Sequence, residues 1–234
     1  MKKNILIVFV LVSNFVAAQQ YEVSSDMSAD ARNSIGKLTM FSTGAWLPGK
    51  PVDSQIEGTP YLFVNWDGYF ELFNKTGKGY SLRNLNYNIQ NQTLETKFSK
   101  DSVFIFDKKE IDLIKSNDRR FRFLNTNNNN RLCEVLYSSA KINFFKDFLL
   151  TKTTAQINPM TQQVISNAKY ILKEIYLFSK TGDSNFLEIN LKKKQILKLF
   201  SDKVEIVNKY ASENNLDFSK EKDLIKVFRY YDTL

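Results

Sequence analysis

Three aromatic residues in the stretch 58–98 are the best candidates for a ligand-binding site. Tyr61, Trp66 and Tyr69 lie close together around the turn at 66–68. Binding pockets are often lined by aromatic rings with a few polar groups beside them, and such rings can stack on sugars. The same rings could equally fill a hydrophobic core. The residue types therefore predict either a platform for a glycan or small apolar ligand, or a packed cluster.

Three carboxylates, Asp67, Glu71 and Glu95, accompany these rings. A glycoside hydrolase places two carboxyl groups about 5–10 Å apart across a cleft and raises the pKa of one of them. Chain spacing alone does not establish such a pair, and surface carboxylates are the ordinary alternative. We assign no catalytic, cofactor-binding or metal-ligating residue from the sequence, and we expect no cofactor.

The absence of histidine restricts the chemistry of this chain. Ser-His-Asp and Cys-His catalysis are excluded, because both need an imidazole base. Zinc sites lose their commonest nitrogen ligand, and the single cysteine, Cys133, supplies neither a thiolate cluster nor an intramolecular disulfide. Cys133 lies in a strand-like run, where we expect a buried and unreactive thiol.

The first eighteen residues have the pattern of a cleaved signal peptide. Lys2 and Lys3 precede an apolar run at 5–12, and small residues follow at 16–18. The run is shorter than the roughly 20 residues that a transmembrane helix needs. We therefore expect an exported protein, periplasmic or at the cell surface, without a transmembrane helix after cleavage and without nucleic acid as a partner.

The net charge of +8 is spread along the chain and forms no continuous basic run. A dispersed excess of this size is typical of a solvated surface. Contact with acidic polymers or with anionic membrane surfaces is the alternative.

The hydrophobic pattern predicts an α+β fold with strands first and helices last. Between 58 and 190, alternating runs recur about every ten residues with turn residues between them, which is typical of an antiparallel β-rich body, built as a meander or sandwich or barrel-like. Residues 19–57 are weakly patterned and predict an extended or partly ordered lead-in. Residues 191–234 predict two to three helices packed on the body.

Local patterns within these regions allow sharper predictions. Asn84, Asn86 and Asn88 alternate with apolar residues, so we expect a strand with a solvent-facing row of amides. Residues 151–168 are polar and predict a long loop. Ser219 is a good N-cap for the last helix, because its hydroxyl could accept a hydrogen bond from the first turn.

Three pieces of the chain together resemble a known family. They are GTPYL at 58–62, LNYNIQNQTLE at 85–95 and LDFSKEKDLIKVFRYYDTL at 216–234. They are similar to a family of uncharacterised secreted proteins of Gram-negative bacteria, in which a signal peptide and a G-[ST]-P-Y-L start precede a β-rich body and a lysine-rich helical C-terminus. The resemblance implies an envelope location and carries over no catalytic residue.

These observations favour a non-enzymatic interaction or structural module of the cell envelope, whose partner would be an envelope protein or a glycan. A glycan or small-ligand binding module that uses Tyr61, Trp66 and Tyr69 is the first alternative. A carboxylate-dependent hydrolase is the second.

Overall fold

The computed structural model describes residues 44–48, 56–99, 102–126, 129–183 and 185–234. The predicted signal peptide and most of the predicted lead-in lie outside these residues. The described part of the chain is rich in antiparallel strands, and its helices lie at the C-terminal end. The predicted α+β class with a β-rich body is therefore confirmed.

Strands of two to thirteen residues, joined mostly by short turns, build the body. In chain order they are β1 (Gly44–Pro48), β2 (Ile56–Glu57), β3 (Tyr69–Asn74), β4 (Gly79–Arg83), β5 (Leu85–Asn88), β6 (Thr93–Ser99), β7 (Ser102–Phe106), β8 (Ile111–Ser116), β9 (Arg119–Thr126), β10 (Asn129–Ser138), β11 (Ile142–Lys152), β12 (Gln156–Ile157), β13 (Val164–Ser166), β14 (Ala168–Lys180) and β15 (Leu187–Ile189).

The strands form one large and one small open sheet. The large sheet has the order β15-β14-β11-β10-β9-β8-β3-β4, and β2 adds to β14 in parallel. The small sheet has the order β1-β7-β6-β5, while β12 and β13 form a separate pair. The large sheet thus grows mainly from neighbouring strands of the sequence, as in a meander.

Two layers cover the same face of the large sheet side by side. Phe148 of β11 belongs to a core shared with the small sheet, which includes Leu85 and Tyr87. Phe144, four residues earlier on the same strand, belongs to a second core that the helices complete with Phe228. Side chains four residues apart on a strand point to the same face. The sheet is therefore covered by strands over one part and by helices over another.

The helices are short and pack by one apolar stripe each. They are α1 (Lys193–Leu197), a 3-10 turn (Lys198–Lys203), α2 (Val204–Glu213) and α3 (Glu221–Asp232). In α3 the stripe is Leu224, Val227 and Phe228, all fully buried. The predicted helical C-terminus is therefore confirmed.

The predicted N-cap of the last helix was wrong. Lys220 occupies the cap position and makes no side-chain cap bond. The Ser219 hydroxyl instead donates to Asp217 Oδ1 at 2.7 Å. This bond ties the hydroxyl to the loop before the helix, and local bonds of this kind compete with capping.

Candidate functional site

The structure brings two of the three candidate aromatic residues together. The rings of Tyr61 and Trp66 meet edge to face, with centroids 4.8 Å apart and planes at 68°. Both residues are half-buried, whereas Tyr69 at the start of β3 is 54% exposed. Within the described residues, Tyr69 has no ring contact with either of them. The pair and the single ring form no flat common surface, and their predicted role in ligand binding stays a prediction.

Tyr61 is fixed through its hydroxyl to a buried carboxylate. The hydroxyl donates to Glu95 Oε2 at 3.0 Å, and Thr93 Oγ1 donates to the other oxygen at 2.5 Å. Burial, and then the Glu95 charge, raise the pKa of Tyr61 well above its usual range. Tyr61 is therefore a neutral donor at all physiological pH values. Glu95 is occupied as a structural acceptor.

The other two carboxylates of this stretch lie nearer solvent. Asp67 is exposed, and Glu71 reaches Lys115 Nζ at 4.0 Å with both side chains nearly half exposed. Lys97 Nζ lies 5.8 Å from the Trp66 ring centroid, within the range of a cation–π contact. Charged side chains therefore surround the aromatic pair and cover part of its surface.

The predicted solvent-facing row of amides was wrong. Asn86 is fully buried and Asn88 nearly so. The Phe63 amide donates to Asn86 Oδ1 at 3.0 Å, and Asn86 Nδ2 donates to the Phe63 carbonyl at 2.8 Å. A primary amide offers a donor and an acceptor side by side, as a peptide unit does. These amide side chains therefore bind the protein segment at 60–63 and do not face solvent.

The face of the large sheet opposite the two cores carries a groove of about 390 Å³. Arg120 and Arg122 lie on it, on the opposite side of β9 from buried Phe121, as strand alternation requires. Arg122 reaches Asp112 Oδ2 at 3.4 Å. The rest of the groove is lined by apolar and polar side chains. The apolar ones are Leu113, Leu124, Val135, Phe145 and Phe186, and the polar ones are Ser138, Asn143, Ser179 and Asp183.

The longest strand pair among the described strands has one half in the cores and one half with mostly exposed side chains. β11 and β14 are in register from Ile142–Lys180 at one end to Lys152–Tyr170 at the other. The chain between them, predicted as a long polar loop, forms the small hairpin of β12 and β13, so that prediction was wrong for these strands. The Asn158 side chain accepts hydrogen bonds from the amides of Met160 and Thr161 and holds the hairpin turn. We call residues 151–174 the arm, because Leu150 and Ile175 on either side of it pack against the cores.

The arm exposes a concentration of aliphatic side chains. Met160 at the hairpin turn is 92% exposed. Six of the eleven large apolar side chains that are exposed in the described part of the chain lie on the arm: Ile157, Met160, Val164, Ile165, Ile171 and Leu172. Exposed apolar side chains scattered singly over a surface are ordinary, whereas a gathering of them in one segment indicates an interaction site. The arm is thus the strongest candidate for a functional surface.

Sequence reasoning missed the arm, although two signals for it exist. Val164 and Ile165 form a β-branched pair inside the polar stretch, and β-branched pairs favour strands. The run 170–178 is apolar on both faces, which the structure explains because its first half faces solvent and its second half enters the core.

Comparison with known proteins gives no relative, because no family model, no curated protein and no solved structure matches the chain. The resemblance to secreted proteins of Gram-negative bacteria therefore stays a prediction.

None of the helices in the described ranges has the length and apolar character to cross a membrane. Cys133, the only cysteine, is free and buried. Those same ranges hold no cluster of three or more His, Cys, Asp or Glu residues suited to a metal ion.

Proposed function

We propose that this chain is an exported interaction module of the cell envelope, which binds another envelope polypeptide through the arm. The observation that carries the proposal is the group of exposed aliphatic side chains from Ile157 to Leu172. Leaving such groups in water forgoes the roughly 25 cal/mol per Å² that burial would contribute. A partner that covers them recovers this free energy.

The base of the arm is built to hold its direction. Lys146 Nζ of β11 lies 2.6 Å from Glu221 Oε1 at the start of α3 and 3.6 Å from Glu174 Oε2. The Tyr176 hydroxyl donates to the same Glu221 oxygen at 2.7 Å. These contacts join β11 and β14 to the helix layer where the arm leaves the body. A surface held in this way loses less conformational entropy on binding.

The chemistry of the arm favours a protein partner over a glycan. Its exposed apolar side chains are all aliphatic, and sugar-binding surfaces rely on aromatic rings and directed hydrogen bonds. The predicted signal peptide supports export and an envelope location for both partners. The glycan alternative rests on Tyr61, Trp66 and Tyr69, whose rings do not form one plane.

Site-specific photo-crosslinking in envelope fractions of the native source tests the proposal. A photoreactive residue replaces Met160 at the hairpin turn, and Lys209, an exposed position on α2, is the matched control. We expect a discrete cross-linked polypeptide from position 160 and none from 209. The double substitution Ile157→Ser and Ile165→Ser should reduce the cross-link about tenfold, since two apolar contacts are lost. Equal cross-linking from both positions, or no loss in the double variant, contradicts the proposal.

A further inference from the structure

We infer that the free edge of β14 at residues 171–175 binds an extended segment of the partner polypeptide as an added strand. This inference rests on the proposed function and specifies the kind of partner and the way it is recognised. The observation behind it is an unpaired stretch along one edge of β14. This stretch is distinct from the aliphatic tip of the arm.

The two edges of β14 are paired to different extents. On one edge β11 accompanies it from Lys180 to Tyr170. On the other edge β2 pairs only with Ala168 and Lys169, and β15 pairs only with residues 176–178. Gly58, the residue after β2, lies against the main chain of Tyr170. Among the described strands, none pairs with residues 171–175 on this second edge. The gap is five residues long, or about 17 Å at the usual rise of a strand.

The main-chain groups that face the gap follow from the register. The Thr153 amide donates to the Lys169 carbonyl, and the Thr181 amide donates to the Lys141 carbonyl. Odd-numbered residues of β14 therefore direct their main-chain groups to β11, and even-numbered residues direct theirs to the other edge. Leu172 and Glu174 thus present N–H and C=O groups to the gap. Such a row is a template for another strand.

The shape of the gap favours a single added strand over a second copy of this chain. β2 and β15 extend the sheet by one strand width, about 4.8 Å, at the two ends of the gap. The free edge is therefore the floor of a notch. The notches of two copies cannot close on each other, because their flanking strands would collide first. One isolated extended segment fits between the flanks.

The side chains beside the gap define what the added segment should carry. Ile171 and Leu172 are both exposed and lie on opposite faces of β14, so each can contact a side chain of a neighbouring strand. Lys173 and Glu174 follow them, and Lys146 lies beside Glu174. The predicted ligand is an extended peptide with apolar residues on both faces and mixed charge at one end.

A proline substitution separates main-chain recognition from side-chain contact. Peptides of about eight residues, long enough to fill the gap, are selected from a displayed random library against the full chain, and the tightest one is the probe. Leu172→Pro removes the N–H that faces the gap, whereas Leu172→Ala keeps it. We expect the proline variant to bind about tenfold more weakly than the alanine variant in fluorescence anisotropy. Proline is tolerated where the lost N–H faces solvent.

A second measurement needs no variant of the protein. N-methylation of the probe peptide, one residue at a time, should weaken binding to the natural chain at every second position. Equal binding of the proline and alanine variants, indifference to N-methylation, or failure to enrich any peptide overturns the inference. Self-association of the chain that Leu172→Pro abolishes overturns it as well, since a second copy would then be the occupant.

The outcomes distinguish this inference from the proposed function. If the Met160 cross-link persists in Leu172→Pro and the peptide binds both variants equally, the arm remains a binding surface and strand addition is refuted. If the Met160 cross-link itself is absent while strand addition holds, the edge binds peptide but the aliphatic tip does not contact the partner.

Discussion

The two halves of the β11–β14 pair differ in what covers them, although they belong to the same ladder. In the body half, Phe144 and Phe178 are buried beneath the helices. In the arm half, Ile171 and Leu172 of β14 are exposed. Both halves contain apolar residues, and in both halves β11 is paired with β14 without interruption. The covering layer, and not the strand sequence, therefore decides which half is core and which is surface.

The two halves therefore have different roles, one in stability and the other in binding. Burial against a second layer stabilises the fold, and exposure leaves free energy available for binding. Substitutions in the body half should therefore lower the free energy of unfolding with little direct effect on binding. Substitutions in the arm half should do the reverse.

The largest loss of stability should come from the helix layer. Phe228 is fully buried, and its ring contacts those of Phe144 and Phe178. We expect Phe228→Ala to lower the free energy of unfolding by about 3–5 kcal/mol, because it leaves a cavity at the centre of this core. Urea unfolding followed by circular dichroism measures the change. A loss below about 1 kcal/mol would mean that the helices contribute little to the body half.

The pair of hydrogen bonds between the Asn86 side chain and the Phe63 peptide should give the next largest effect. Asn86→Ala removes both hydrogen bonds to the Phe63 peptide and leaves that peptide's groups without their partners. We expect a loss of about 2–3 kcal/mol in the free energy of unfolding. The matched control is Asn91→Ala, at an exposed position, which should stay within about 0.5 kcal/mol. Equal effects of the two substitutions would restore the solvent-facing interpretation of the amide row.

A smaller effect should mark the junction between body and arm. Lys146→Ala removes the cation between Glu174 and Glu221 and leaves Glu221 with the Tyr176 hydroxyl. Both carboxylates keep some access to water, so we expect a loss of about 1–2 kcal/mol rather than the full cost of a buried unpaired charge. Unchanged stability together with an unchanged Met160 cross-link would show that this cluster does not fix the arm.

The smallest effect on stability should come from the arm itself. Ile165→Ser changes a side chain that is 65% exposed, and we expect a change within about 0.5 kcal/mol. Urea unfolding of this variant beside the natural chain measures it. A loss of about 2 kcal/mol would show that the arm packs on part of the protein and would contradict its role as an open surface.

Local patterns predicted the elements better than their arrangement. The period of two placed strands such as β3 and β9 well, and the helical stripe identified Leu224, Val227 and Phe228, because these signals depend on near neighbours in the sequence. Asn86 was misplaced because its burial depends on a segment more than twenty residues away. The same limit applies to the arm, since alternation shows which residues share a face but not whether another layer covers that face.

Amide hydrogen exchange along β14 tests the central claim most directly, without any partner. The open edge predicts that the Leu172 and Glu174 amides exchange rapidly, whereas those of Ile171 and Lys173 are protected by β11. The Tyr176 and Phe178 amides should also be protected, because β15 pairs with them. Protection of Leu172 and Glu174 equal to that of their neighbours would show that the edge is already occupied and would contradict the account.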